Sequence, residues 1–353
     1  MEEGLVHLDD AVCKYWPEFA QNGKSMITIA HVLNHQAGLA DAAMENITED
    51  PFLARDDLKI LEILAASAPE SLPGAETRYH YLTFGWLIDG IVRKVTGKTL
   101  KAFITERVGI PLGIQNELLI GIGEDGAKNP YISPRLSTLV IGKVETDSAI
   151  DPKLSQGTQD ESSKRNGGSN TRRPTGPSVF MNPTFFNDPR IREAAIPAAN
   201  GHFSARALAK FYHAIGSDAL PASPSSKSKG SIFSAAGWAR PLLDTDEKEY
   251  ATVANEAMLQ GGTGSFSYGY YIFPLKSKTS KQILCFGHPG LGGSVAFCRI
   301  EGDDTLAVAV TINRLSLNNN DITFSIVRSI FEHLQIPFVE TRTRGERPFV
   351  EVQ

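Results

Sequence analysis

Cysteine is scarce in this chain. Only three occur in 353 residues, Cys13, Cys285 and Cys298, far apart and with neither a C-x-x-C pair nor the spacing of metal ligands. A small disulfide-stapled fold and a zinc ribbon are thereby excluded. Cys285 and Cys298 lie in apolar, strand-like runs, where a free thiol behaves as a small buried hydrophobe, so a reducing compartment is the default reading. Long hydrophobic runs are missing as well, and no stretch approaches the roughly 20 apolar residues of a membrane-spanning helix. The opening Met1-Glu2-Glu3-Gly4 is acidic where a secretory signal would be basic, and no apolar core follows it. Neither sign of charge dominates: 35 Lys and Arg against 40 Asp and Glu leave a net charge of −5. That balance gives no footprint for nucleic acid or an anionic membrane. The short basic runs Lys164-Arg165 and Arg172-Arg173 sit in polar surroundings and read as solvated loop. There is no internal repeat.

What is present is ordinary globular composition, 41% hydrophobic and 21% charged. Helical periodicity marks Ile27 to Leu39, Leu58 to Ser67, Leu82 to Val95 (with Trp86 and Ile91 on the apolar face, stopped by Thr96-Gly97), Leu100 to Val108 and Ser204 to Ile215. In the last third the period changes to that of strands. Tyr268 to Phe273, Gln282 to Phe286, Val295 to Ile300 and Leu306 to Ile312 are short β-branched and aromatic runs parted by turns, predicting consecutive antiparallel strands. Asp321 to Leu334 then predicts an amphipathic helix with Ile322, Ile326, Ile330 and Leu334 aligned. Helices first, then a meander and a closing helix, predict an α+β domain over residues 1–340, with a tail at 341–353. Residues 155–173 and 221–230 carry almost no apolar content and read as disordered insertions.

Three stretches carry a resemblance in the right order: "ITIAHVLNHQAGL" (Ile27 to Leu39), "YHYLTFGWLIDGIVRKVTGKTL" (Tyr79 to Leu100) and "FGHPGLGGS" (Phe286 to Ser294). "ANGHFSARALAKF" (Ala199 to Phe211) is a weaker echo. Together they resemble the serine β-lactamase, penicillin-binding and family VIII esterase-like superfamily, over nearly the whole chain outside the two insertions. The resemblance implies a transpeptidase-like fold: an antiparallel sheet flanked by helices, with a helical subdomain. It also implies acyl-enzyme hydrolysis of an ester or amide, without a cofactor or a metal. Tyr79 matches the Tyr of the Tyr-x-Asn element and would be the base-side phenol. His288 takes the Lys or His place of the third element. Gly290 would let substrate approach the strand, and the Leu291 N–H would be one oxyanion donor.

Two departures bear on function. Tyr81 stands where the family has Asn, which removes an amide that contacts amide substrates and favours esters over β-lactams. The family's Ser-x-x-Lys nucleophile belongs upstream of "EEGLVHLDDAV", where this sequence opens. The resemblance therefore predicts a chain truncated at its N-terminus and inert alone, with an exposed sheet edge. The one Ser-x-x-Lys present, Ser226 to Lys229, is out of order in a Ser/Lys-rich loop and carries little weight. Domains of this kind also follow kinase-like modules in plants, so fusion to one in a longer protein is a further expectation. Residence in the cytoplasm, or in a plastid or mitochondrion, is another.

The plainer readings stand beside these. Tyr79 is also what a packed aromatic under a helix looks like, and His288 before Pro-Gly is also what a turn looks like. Two further functions are weighed: a non-catalytic binding or regulatory module using the same groove, and a metal enzyme using His31 and His35. The second pair is four apart but lacks the Glu of a zinc-protease helix. It reads better as one partly buried histidine beside a surface one. The "GLGGS" run precedes a strand, so it is not a phosphate cradle.

Overall fold

The computed structural model describes residues 4–142, 178–219, 251–254, 263–272, 283–290, 292–301, 304–315, 321–336, 340–341 and 349–350. Both low-complexity segments, the internal Ser226 to Lys229 and Leu291 lie outside them.

The first half is helical: α1 (Ile29–Leu33), α2 (Met44–Glu49), α3 (Asp57–Ala66), α4 (Thr83–Thr96), α5 (Leu100–Ile104) and α6 (Ile110–Leu112). Its centre is α4, whose face carries Trp86, Leu87 and Ile91 into a core with Phe19, Ile27, Leu39, Ile60 and Leu64. The helix stops where the pattern predicts. Gly97 takes a left-handed φ of 72° and donates its N–H to the Arg93 carbonyl at 2.8 Å. Gly90 is what lets α4 close on the N-terminal loop, because an added Cβ would lie 2.4 Å from the Trp16 ring. The predicted helix over Ile27 to Leu39 is shorter in the structure. It ends at Leu33, and the chain turns sharply at His35.

A two-stranded ribbon, β1 (Leu118–Ile120), leads on through β2 (Val140–Ile141) and α7 (Pro189–Glu193) to its partner β3 (Gly201–Phe203). Neither ribbon strand is long enough to show a period in the sequence. Buried Asn200 shapes the approach to β3 by donating to the Ala194 carbonyl at 2.7 Å and pairing with His202 at 3.0 Å. Helix α8 (Ala205–Ala219) follows, its first turn capped by the Ser204 hydroxyl.

The main sheet has six antiparallel strands in sequence order: β4 (Ala251–Ala254), β5 (Thr263–Ser267), β6 (Tyr270–Ile272), β7 (Ile283–Pro289), β8 (Val295–Glu301) and β9 (Asp304–Val310). Strand β10 (Arg314–Leu315) leaves it to pair with β2, and α9 (Asp321–His333) closes the fold. Alternation along β7 and β8 splits the sheet into two faces. Phe286, Ala296 and Cys298 pack under α8, while Cys285, Val295 and Phe297 pack under α9 with Val327 and Phe331. Both cysteines are buried, on opposite faces of the sheet. Among the described residues β9 pairs only with β8.

One expectation holds only for Ile330, which packs partly against the sheet. The aligned residues Ile322, Ile326 and Leu334 do not form the buried face of α9 but are 58%, 41% and 47% exposed. Thr323, Val327 and Phe331 face the sheet instead. The Thr323 hydroxyl donates to the Gly293 carbonyl at 2.6 Å and so fixes the rotation of the helix. Among the described residues no helix is long and apolar enough to cross a membrane.

Candidate active site

The helical region and the sheet meet at Tyr79 and His288. Tyr79 lies in the loop that enters α4. His288 lies near the end of β7, on the α8 face of the sheet, opposite Ala296 in the register. The Tyr79 hydroxyl and His288 Nε2 are 3.2 Å apart. His288 Nδ1 sits 2.7 Å from the Pro289 carbonyl, which accepts and cannot donate. The ring proton is therefore on Nδ1, Nε2 is the acceptor, and the Tyr79 phenol donates to it. Burial raises the phenol above its ordinary value and lowers His288 below its own. The resident state is thus a neutral phenol bonded to a neutral imidazole.

The backbone around Tyr79 is held from several sides. The Arg78 N–H donates to the His35 carbonyl at 2.9 Å, and the Arg78 guanidinium pairs with Asp41 at 2.5 Å and with Glu70. His80 is buried. Its Nδ1–H donates to the Arg78 carbonyl at 2.6 Å, and its Nε2 accepts the Leu39 N–H at 3.0 Å. The Thr83 hydroxyl donates to the Leu39 carbonyl at 2.8 Å. The first motif, Ile27 to Leu39, is therefore scaffold for the second. It also reaches the sheet, where Asn34 Oδ1 accepts the Tyr268 N–H at 2.8 Å in the turn between β5 and β6.

The other expected residues fall into place unevenly. Tyr81 is partly buried against the helical core, and burial pushes its phenol up to about 12. Gly290 is exposed at the start of the β7–β8 turn, its N–H committed to the Ser294 carbonyl at 2.7 Å. An added Cβ there would meet nothing nearer than that carbonyl oxygen at 3.4 Å, so the protein interior does not demand a glycine at this point. Leu291 lies outside the described residues. His31 and His35 are used separately. His31 Nδ1 accepts the Thr28 N–H at 3.2 Å in the cap of α1. His35 is buried against Tyr79, with ring centroids 4.8 Å apart. Neither is a surface residue, contrary to expectation. Among the described residues no group of three or more His, Cys, Asp or Glu side chains is placed to hold a metal.

His35 itself is a position that sequence reasoning undervalued. It is the residue after the cap of α1. Its N–H bonds the Val32 carbonyl at 3.2 Å and the next N–H, of Gln36, bonds the His31 carbonyl at 2.7 Å. That is a Schellman motif, in which glycine is the usual residue. A histidine there at φ 58° costs roughly 1 kcal/mol.

Buried His80 and half-buried His202 make stability depend on pH. Burial lowers His80 to about 4 and His202 to about 4. Both folded values lie below the unfolded value near 6.5, so the unfolded chain binds more protons between the two. Their contribution is complete above about pH 6.5 and is lost as the pH falls toward about 4. Denaturant melts should show a loss of up to about 1.4 kcal/mol per pH unit for each histidine in that window. His80→Asn should flatten the slope while lowering stability at neutral pH. A wild-type stability unchanged between about pH 6.5 and 4.5 would contradict the assignment.

An antiparallel sheet between two helical layers is the architecture of the β-lactamase and transpeptidase fold. The chain belongs to the Beta-lactamase family, whose model matches residues 1–323. It is similar to the esterase/β-lactamase LipL of Mycobacterium tuberculosis (strain ATCC 25618 / H37Rv), with 29% identity over 314 residues, 89% of this chain and 65% of LipL. It thus spans less than two thirds of that relative. Among solved structures it resembles a penicillin-binding protein homologue from Caulobacter crescentus, at 26% identity and a TM-score of 0.61, covering 90% of this chain and 73% of that one. A family VIII carboxylesterase shares the fold at 23% identity and a TM-score of 0.65, covering 94% and 78%.

Proposed function

We propose that Tyr79 and His288 are the acid–base half of an ester-hydrolysing serine site. The observation that carries the reading is the 3.2 Å Tyr79–His288 hydrogen bond, formed between the second and third family elements 209 residues apart. In the step this geometry supports, the serine O–H passes its proton to the Tyr79 oxygen as the serine oxygen bonds the acyl carbon. The Tyr79 proton moves to His288 Nε2. An imidazole of lowered basicity returns it readily, so that the leaving alkoxide departs protonated. Deacylation by water runs the same relay. Tyr81 in place of Asn removes an amide contact and favours esters. LipL is named as both an esterase and a β-lactamase, which accords with ester hydrolysis and does not separate the two substrates.

The 353 residues hold no Ser-x-x-Lys ahead of Tyr79. The purified chain alone is therefore expected to release no p-nitrophenol from p-nitrophenyl acetate or butyrate above the rate of a heat-denatured sample, with no acyl burst. Joining a Ser-x-x-Lys element ahead of residue 4 in a longer form should create the activity. Turnover by the 353-residue chain that Tyr79→Phe abolishes would overturn the expectation that these residues hold no nucleophile for the pair. Tight, saturable ester binding without turnover in the longer form would favour a non-catalytic binding module.

A further inference from the structure

We propose that His35 is the positioning residue for Tyr79, holding the peptide on both sides of it and backing its ring. The inference rests on the reading of Tyr79 as a working phenol, and three independent observations support it. The first is backbone capture. The His35 carbonyl accepts the Arg78 N–H at 2.9 Å and its Nδ1 accepts the His80 N–H at 3.2 Å. One residue thus takes the donors immediately before and immediately after Tyr79. The second is ring support. The His35 imidazole lies 4.8 Å from the Tyr79 ring and 4.7 Å from the Phe84 ring, tilted at about 40° to both, which sandwiches it between the loop and the first turn of α4.

The third is the backbone itself. His35 occupies the left-handed position of a helix-ending motif, φ 58°, where glycine would be free of strain. A glycine there would keep the turn and the carbonyl, but would lose both the acceptor for the His80 N–H and the ring under Tyr79. A strained residue held by its surroundings beside a reactive group is the pattern expected when the side chain has a task. His35 takes no part in the Tyr79–His288 hydrogen bond itself. It acts through Tyr79, by fixing where the phenol oxygen stands relative to His288 Nε2.

The test reads the Tyr79–His288 hydrogen bond directly, without catalysis. The full chain is labelled with 15N-histidine and the His288 Nε2 resonance is assigned by its loss in His288→Gln. Tyr79→Phe, which removes the donor, gives the shift of an Nε2 without its phenol. His35→Phe keeps a ring against Tyr79 and Phe84 but removes the acceptor. His35→Asn tolerates the left-handed backbone and offers an amide oxygen, but removes the ring. The expected result is that each His35 variant moves the His288 Nε2 resonance part of the way toward the Tyr79→Phe value, His35→Phe further than His35→Asn. Circular dichroism and the Tyr212 and Tyr270 ring signals should stay in place. If His35→Phe does not fold, His35→Asn carries the comparison.

A folded His35 variant whose His288 signal stays at the wild-type value while Tyr79→Phe shifts it would overturn the positioning role and leave the proposed site intact. A signal that Tyr79→Phe itself leaves unmoved would overturn both. A collapse of the Tyr212 and Tyr270 environments in both variants would make His35 a general structural residue and also overturn the proposal.

Discussion

Tyr79→Phe is expected to lower kcat/KM on a p-nitrophenyl ester by about 10²–10⁴-fold in a form of the protein that carries the Ser-x-x-Lys element. The loss should fall on kcat, with KM nearly unchanged, because the phenol makes its decisive bonds while the proton is in transit. The fold should tolerate the change. Phe keeps the ring contacts with His35 at 4.8 Å and removes one hydroxyl, whose hydrogen bond to His288 is worth about 0.5–1.5 kcal/mol. Stability and activity therefore separate in this variant, and thermal melts measured beside the kinetics show which one moved. Rates within threefold of wild type would mean that the phenol is only a packed aromatic. His288 would then be the place to look for the base, since it retains Nε2 toward the same space.

Much of this arrangement could be read from the residues, and the parts that could not have identifiable reasons. Helix α4 was legible because its apolar positions recur over a full 14 residues and Gly97 stops it. The strands β7, β8 and β9 were legible because β-branched and aromatic residues are parted there by turn chemistry. The Tyr79–His288 pair was legible only through the order of three motifs. Nothing in either local sequence says that residues 209 apart share a hydrogen bond. The face of α9 was misread because two stripes compete at the same spacing, Ile322-Ile326-Ile330-Leu334, of which only Ile330 is partly buried, and Thr323-Val327-Phe331. Hydrophobicity favours the first. A single hydroxyl bond from Thr323 to the β7–β8 turn, together with the bulk of Phe331, selects the second. His35 was undervalued for a different reason. Its importance lies in a left-handed backbone, and a sequence shows that only when the residue is glycine. A sequence scan could still have noticed that "NHQAGL" places a histidine directly after a helix-ending Asn, where Gly is the common choice.

The adjacent residue on β7 carries the second large effect. Gly287 faces Phe297 in the register between β7 and β8, and an added Cβ would lie 2.2 Å from the Ala296 carbonyl oxygen and 2.5 Å from the Phe297 Cα. Both obstacles are backbone atoms of β8, a strand paired on both sides, so neither can yield as a side chain end would. Gly287→Ala must push the two strands apart, at a cost of about 1–3 kcal/mol, to be read by urea melts. His288 is the next residue and moves with the strand, away from a phenol that the helical region holds in place. A misplacement on the order of 1 Å is enough to lower kcat about 10²-fold in an active form, on top of the lost stability. The 15N signal of His288 Nε2 should move toward its value in Tyr79→Phe. A variant with wild-type stability and an unmoved His288 signal would show that the strands have room for a methyl group. The closeness of β7 to β8 would then not be what sets the histidine's place, and the position of His288 would rest on the Pro289 carbonyl and the turn beyond it.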